Sequence, residues 1–130
     1  MALADTPEPV ELRLPAEPES VAVARHAAAE YAEGVGADPD AVAIAVSEIV
    51  TNAIMHAYRE REAGTVEVRA ELNTTHMVVV VTDEGRGLGP NPDSPGLGFG
   101  LPMVSELADE VGIESNKGGG TRLWMRFPLS

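Results

Sequence analysis

The chain has 130 residues, of which 44% are hydrophobic and 23% charged, with no cysteine and a formal net charge of −12. That length suits one domain with its own core, and the composition suits a globular chain. Disulfides and thiolate metal sites are excluded by the missing cysteines, and the acidic balance argues against DNA or RNA, whose binding rests on neutralising phosphates with Lys and Arg.

The first ten residues, MALADTPEPV, lack the basic start and apolar stretch of a secretion signal. No apolar run approaches the ~20 residues of a membrane span, so a cytoplasmic location is the expectation. Residues 1–9 are rich in proline and acid and are expected to form a loose tail, with 10–130 as a single domain. Val10 to Pro15 (VELRLP) alternates apolar and polar, as a half-buried strand does. A helix follows: Val21, Ala24, Ala28, Tyr31 and Ala32 share one face, Ser20 is placed to cap its N-terminus, and Gly34 and Gly36 end it. A second helix starts after Asp38, an expected N-cap, with Pro39 in its first turn and Asp40 near the positive end of its dipole.

Thr65 to Leu72 alternates again, Asn73-Thr74-Thr75 reads as a turn, and HMVVVVTD reads as a buried strand, so the pair forms a hairpin. A long loop rich in glycine and proline occupies residues 83–100, and loops of that length are usually functional. A third helix is expected over FGLPMVSELAD, with Pro102 tolerated in its first turn. EVGIES, the turn NKGGG and TRLWMRFPL close the chain as another hairpin. The order β-α-α-β-β-loop-α-β-β implies an α+β protein: a two-layer α/β sandwich, with a mixed, mainly antiparallel sheet covered on one face by helices.

Within the second helix, Glu48, Asn52 and His56 recur every four residues, drift about 40° per step and form one narrow polar stripe. A solvated helix face would look similar. Asn, however, is a poor residue for a helix middle. Its neutral oxygen suits a hard cation such as Mg²⁺, and a glutamate one turn away suits a general base. Asp83 ends a run of four valines, where a carboxylate is costly unless paired, although Asp-x-Gly is also ordinary turn chemistry. The glycines of GLGFG (Gly96 to Gly100) precede a helix, where backbone N–H groups can meet a phosphate closely. The remaining polar and aromatic residues have plainer readings: Trp124 in sheet packing, His76 at a strand edge and the methionines in the core.

Taken in order, E-x₃-N-x₃-H on a helix, D-x-G-x-G, G-x-G-x-G before a helix and GGT entering a last strand resemble the N, G1 and G2 boxes of the GHKL ATPase superfamily. AVSEIVTNAIMHAY and GFGLPMVSELADEVGIES are similar to the small anti-sigma factor serine/threonine-protein kinases within it. The resemblance spans residues 10 to 128 and implies the GHKL nucleotide-binding fold, with ATP and Mg²⁺ as cofactors. It also implies roles. Glu48 is the general base, Asn52 the Mg²⁺ ligand, and His56 part of the cleft lining. Asp83 accepts a hydrogen bond from the adenine amino group, with Thr121 nearby. Gly85 and Gly87 pass close to base and sugar. Gly96, Gly98, Phe99, Gly100 and Leu101 belong to the phosphate-binding loop, and residues 88–97 to a lid. Arg25, off the apolar face of the first helix, is either a solvated arginine or a partner contact.

The implied function is an anti-sigma factor that sequesters a sigma factor and phosphorylates a Ser or Thr of an anti-anti-sigma antagonist. Two alternatives stay open: a nucleotide-dependent binding module without kinase activity, and a histidine-kinase-like catalytic domain acting in trans. The first is suggested by the segment Leu88 to Gly100, which contains no Lys or Arg to face a γ-phosphate. If so, Arg86 or Lys117 would share that charge with Mg²⁺ and the helix dipole. A glutamate in the base position argues against the second, because an imidazole acceptor needs no strong base. A homodimer is left open.

Overall fold

A computed structural model describes residues 8–59, 64–83, 103–115 and 120–129, the side chains of 56–59 and 115 excepted. Its elements are β1 (Val10–Pro15), α1 (Glu19–Val35), α2 (Pro39–Arg59), β2 (Thr65–Leu72), β3 (His76–Asp83), β4 (Glu110–Ser115) and β5 (Thr121–Pro128), with residues 103–107 also helical. Strand order in the sheet is β1-β2-β3-β5-β4. Every neighbouring pair of described strands is antiparallel. The expected two-layer α+β sandwich is therefore present, and no parallel pair occurs among the described strands.

Local chemistry accounts for most of the element ends. The Asp38 carboxylate accepts the Asp40 and Ala41 N–H groups at 3.0 and 3.3 Å, capping α2 as expected. Gly36 closes α1 at φ 91°, a left-handed conformation that favours glycine, and the N–H groups of Gly36 and Ala37 both donate to the Ala32 carbonyl. Gly34 lies inside the helix rather than ending it. Ser20 is not the N-cap of α1: the helix begins at Glu19, and the Ser20 hydroxyl points into the buried face and donates to the Pro15 carbonyl at 2.6 Å. That bond ties the start of the helix to the end of β1. In the β2–β3 turn the Asn73 side chain accepts the N–H groups of both Thr75 and His76.

The period of two along each strand decides which side of the sheet is covered. Val66, Val68 and Ala70 of β2, Met77, Val79 and Val81 of β3, and Leu123, Met125 and Phe127 of β5 are buried on one side. Against them lie Ala24, Ala28, Tyr31 and Ala32 of α1 and Val42, Val46, Ile49, Val50 and Ala53 of α2 in one core. Val104 and Ala108 extend that core from the helical residues 103–107 and the residue just after them. Each fully buried Ile, Leu, Met or Phe there contributes roughly 1.5–3 kcal/mol by leaving water. The opposite side of the sheet carries charged residues, and no described element packs on it.

Candidate functional site

On α2 the core residues Val42, Ala45, Val46, Ile49 and Ala53 form the sheet-facing stripe, each at 0% exposure. Glu48 and Asn52 flank it and are half-buried, while Ile44 and Met55 on the outer side are exposed. The drift of the i+4 series carries the polar stripe toward the core edge as the helix proceeds. The Asn52 amide nitrogen is buried and has no hydrogen-bond partner among the described residues. An orphaned buried amide of this kind costs about 1–3 kcal/mol, so the position is unexplained by packing alone and suits a residue that meets a ligand. The Ser47 hydroxyl beside Glu48 is likewise buried without a partner there, and nothing in its sequence context had marked it. His56 lies in the last turns of α2, and its side chain is outside the described atoms.

At the far end of β3, Asp83 is 2% exposed. It follows Val79 and Val81 at the i+2 spacing and so stands on the helix-covered side of the sheet. Its registered neighbour on β5 is Thr121, 4% exposed, which continues the same side from Leu123. Because Ile49, Val50 and Ala53 belong to the same core as Val81 and Leu123, the polar stripe of α2 and the Asp83–Thr121 pair share the layer between helices and sheet. Gly85, Gly87, Gly96, Gly98, Phe99, Gly100 and Leu101, with the lid 88–97 and the start of the third helix, lie outside the described residues. Arg25 is exposed on α1, away from the buried face of Ser20, Ala24, Ala28, Tyr31 and Ala32.

Chemically, a carboxylate buried at a strand end accepts hydrogen bonds and discriminates donors from acceptors. A half-buried Glu one helical turn from an Asn can hold a proton and a hard cation side by side. Among the described residues no group of three or more His, Cys, Asp or Glu is placed to hold a metal ion without help from a ligand.

Comparison with known proteins gives a consistent result. Residues 14–127 match the model of the histidine kinase-like ATPase domain. The serine-protein kinase RsbW of Bacillus velezensis is 35% identical over 127 residues, covering 84% of this chain and 79% of the relative. An anti-sigma F factor of Clostridium acetobutylicum is 33% identical over 133 residues, covering 90% of this chain and 91% of the relative. Among solved structures, the RsbU and RsbW domains of Rv1364c from Mycobacterium tuberculosis superpose with a TM-score of 0.74 at 25% identity, over 95% of this chain. This chain spans 33% of that larger protein. The sheet with its helix-covered polar site and these matches agree: the chain belongs to the histidine kinase-like ATPase domain family.

Proposed function

We propose that residues 10–130 form an ATP-dependent serine/threonine-protein kinase domain that also acts as an anti-sigma factor. In this reading it sequesters a sigma factor and is switched by an anti-anti-sigma antagonist that it phosphorylates, in the cytoplasm. The burial of Asp83 at 2% exposure, on the helix-covered side and beside Thr121, carries the reading. A buried carboxylate at that place has the chemistry to accept the amino donor of adenine. The names of the relatives, a serine-protein kinase and an anti-sigma F factor, support the activity and the class of partner.

The roles are those that the family resemblance implies. Asp83 and Thr121 select the base. Gly85 and Gly87 let the backbone pass close to it, and Gly96, Gly98, Phe99, Gly100 and Leu101 surround the phosphates, with His56 lining the cleft. The half-buried Asn52, whose amide nitrogen has no partner among the described residues, fits a Mg²⁺ ligand through its oxygen. When bound, Mg²⁺ neutralises phosphate charge. Glu48 takes the proton from the acceptor hydroxyl as its oxygen bonds to the γ-phosphorus and the bridging bond to ADP breaks. Arg25 faces the protein partner from α1.

Radiolabelled ATP with a candidate antagonist tests this. Glu48→Gln should bind MgATP nearly as the wild type does and transfer phosphate about 10²- to 10⁴-fold more slowly. Arg25→Ala should keep ATP affinity and weaken partner binding. A Glu48→Gln variant that phosphorylates at the wild-type rate removes Glu48 from the base role, and an acid-labile product points to a histidine acceptor instead. One feature favours a second reading, a nucleotide-dependent binding module without transfer: Leu88 to Gly100 contains no Lys or Arg. Wild-type protein that holds a sigma factor with ATP but labels no antagonist would establish that reading.

A further inference from the structure

One cluster of side chains has no part in the nucleotide reading. Thr75 in the β2–β3 turn, His76 at the start of β3 and Asp109 just before β4 form a chain of hydrogen bonds. The Thr75 hydroxyl lies 2.8 Å from His76 Nδ1, and His76 Nε2 lies 2.8 Å from the Asp109 carboxylate. Asp83 is at the other end of β3, roughly 24 Å away along a strand at ~3.4 Å per residue.

Each member is held by the backbone around it. The Asn73 side chain accepts the N–H groups of Thr75 and His76 at 2.9 and 2.8 Å, and the Asn73 N–H donates to the His76 carbonyl at 2.9 Å. The turn is therefore fixed from both sides. His76 is registered against Pro128 of β5, and the Asp109 N–H donates to the Arg126 carbonyl at 2.6 Å. Thr75 and Asp109 are exposed and His76 is half-buried, so the hydroxyl meets solvent while the imidazole is seated between its two partners.

Proton positions follow from what each group can donate. An ionised carboxylate only accepts, so neutral His76 carries its proton on Nε2 and donates it to Asp109. Nδ1 then holds a lone pair, and the Thr75 hydroxyl donates to it. A hydroxyl bonded to a base that is itself oriented by a third group is the pattern of an activated nucleophile. In serine hydrolases the hydroxyl meets Nε2 and the carboxylate meets Nδ1; here the two nitrogens are exchanged and the proton path is the same. The N–H groups of Thr75 and His76 both donate to Asn73, so the turn offers neither to a developing oxyanion. That restricts the site to donors activated enough to react without such help.

We propose that Thr75 is an O-acylation site for activated acyl donors of the aryl ester class, with His76 as its general base and Asp109 as the residue that positions the imidazole. Thr75 Oγ1 bonds to the carbonyl carbon of the ester, its proton passes to His76 Nδ1, and the imidazolium rests against Asp109. The tetrahedral centre collapses as the bond to the aryl oxygen breaks, and the aryloxide leaves with the proton from Nδ1. The acyl-threonine is an alkyl ester with a far poorer leaving group, so it outlasts the step that forms it. The site lies apart from Asp83 and does not depend on the nucleotide reading.

The probe is p-nitrophenyl acetate. Wild-type protein should release nitrophenol in a burst approaching one per chain, and peptide mass spectrometry should find the acetyl group on Thr75. Thr75→Val keeps the shape without the hydroxyl and should abolish the burst, whereas Thr75→Ser should keep it. His76→Gln should slow it about 10²-fold or more, the usual contribution of a general base. Asp109→Asn should slow it roughly tenfold or more with an unchanged melting curve, because an amide no longer fixes the tautomer, and nitrogen NMR should show His76 losing its Nε2–H form. The chain has a single lysine, Lys117, so acetylation of amines is readily told apart. A Thr75 peptide that stays unacetylated overturns the proposal, as does a burst that Thr75→Val or His76→Gln leaves at the wild-type rate. An Asp109→Asn protein with the wild-type rate and tautomer overturns the positioning role.

Discussion

Replacing Asp83 with Asn is the sharpest probe of the proposed nucleotide site. The side chains are nearly isosteric, and at 2% exposure the position has no room for a compensating water shell. The substitution exchanges one acceptor oxygen for an amide that presents donors to the adenine amino group. A hydrogen bond to a charged group contributes about 1.5–3 kcal/mol, which corresponds to a loss of roughly tenfold to over a hundredfold in affinity at about 1.4 kcal/mol per decade. ATP and ADP should lose equally, since both share the base, and GTP should bind the wild type poorly because its 6-oxo group cannot donate to the carboxylate. A thermal-shift assay makes the difference large. ATP at 100 times the wild-type Kd stabilises by about 2.7 kcal/mol, whereas a hundredfold weaker variant at the same concentration gains only about 0.4 kcal/mol. For 130 residues these gains correspond to shifts in Tm of about 10 °C and about 1.5 °C, at ~2.1 cal/mol/K of unfolding entropy per residue. Calorimetry on a folded Asp83→Asn protein with unchanged ATP affinity would refute the assignment.

Three other outcomes are expected. Asn52→Ala should lose the Mg²⁺-dependent part of ATP affinity and keep much of the metal-free part; equal losses with Mg²⁺ and with EDTA, read by calorimetry, would count against a ligand role. Gly112→Ala should displace the Trp124 indole from the backbone it covers and cost about 1–3 kcal/mol in urea unfolding, the range for overpacking; an unchanged midpoint would mean that the ring does not rest there. Burial, and then the charge of Glu71, raise the Tyr31 phenol above its ordinary value of 10.0. Its contribution to stability is therefore complete below about pH 10, where the unfolded chain still holds the proton, and is lost as pH rises from there through the higher folded value. Tyr31→Phe should flatten that alkaline decline in denaturant titrations at successive pH values.

Local pattern was enough for most of the elements. β1 and β2 coincide with the alternating segments because a strand's period of two is visible in a half-buried sheet, and β3 and β4 coincide with the segments HMVVVVTD and EVGIES read as a buried strand and as half of a hairpin. Asp38 and Pro39 announced the start of α2 because a cap and a first-turn proline act within three residues. Ser20 misled for the same local reason: a hydroxyl before an apolar run reads as an N-cap, yet its position on the helix turns it toward the core, where the nearest acceptor is the Pro15 carbonyl. Strand order was not legible, since the pairing of β3 with β5 joins segments about 40 residues apart. The outward side of Trp124 was hidden by the apolar run Leu123-Trp124-Met125, in which alternation cannot be seen. Asp83 was legible as a polar residue ending an apolar strand, but its burial beside Thr121 comes only from the register.

That register also separates two kinds of chemistry along one strand. In β3, Met77, Val79, Val81 and Asp83 point to the helices, and Val78, Val80 and Thr82 point away. β5 divides the same way, with Thr121, Leu123, Met125 and Phe127 on one side and Arg122, Trp124 and Arg126 on the other. A one-residue slip of β5 would exchange its two sets and bury Arg122 and Arg126, the partners of Glu114 and Glu110, under α1 and α2. Desolvating even one arginine without its glutamate costs several kcal/mol, so the pairs Arg122–Glu114 and Arg126–Glu110 also exclude the wrong register. Asp83 reaches the helix layer through the same constraint. With Met77, Val79 and Val81 of β3 fixed inward, the only polar residue of that strand on the buried side is the one at its end. The strand therefore places the Asp83 carboxylate on one face with the parity that keeps Val78, Val80 and Thr82 on the other.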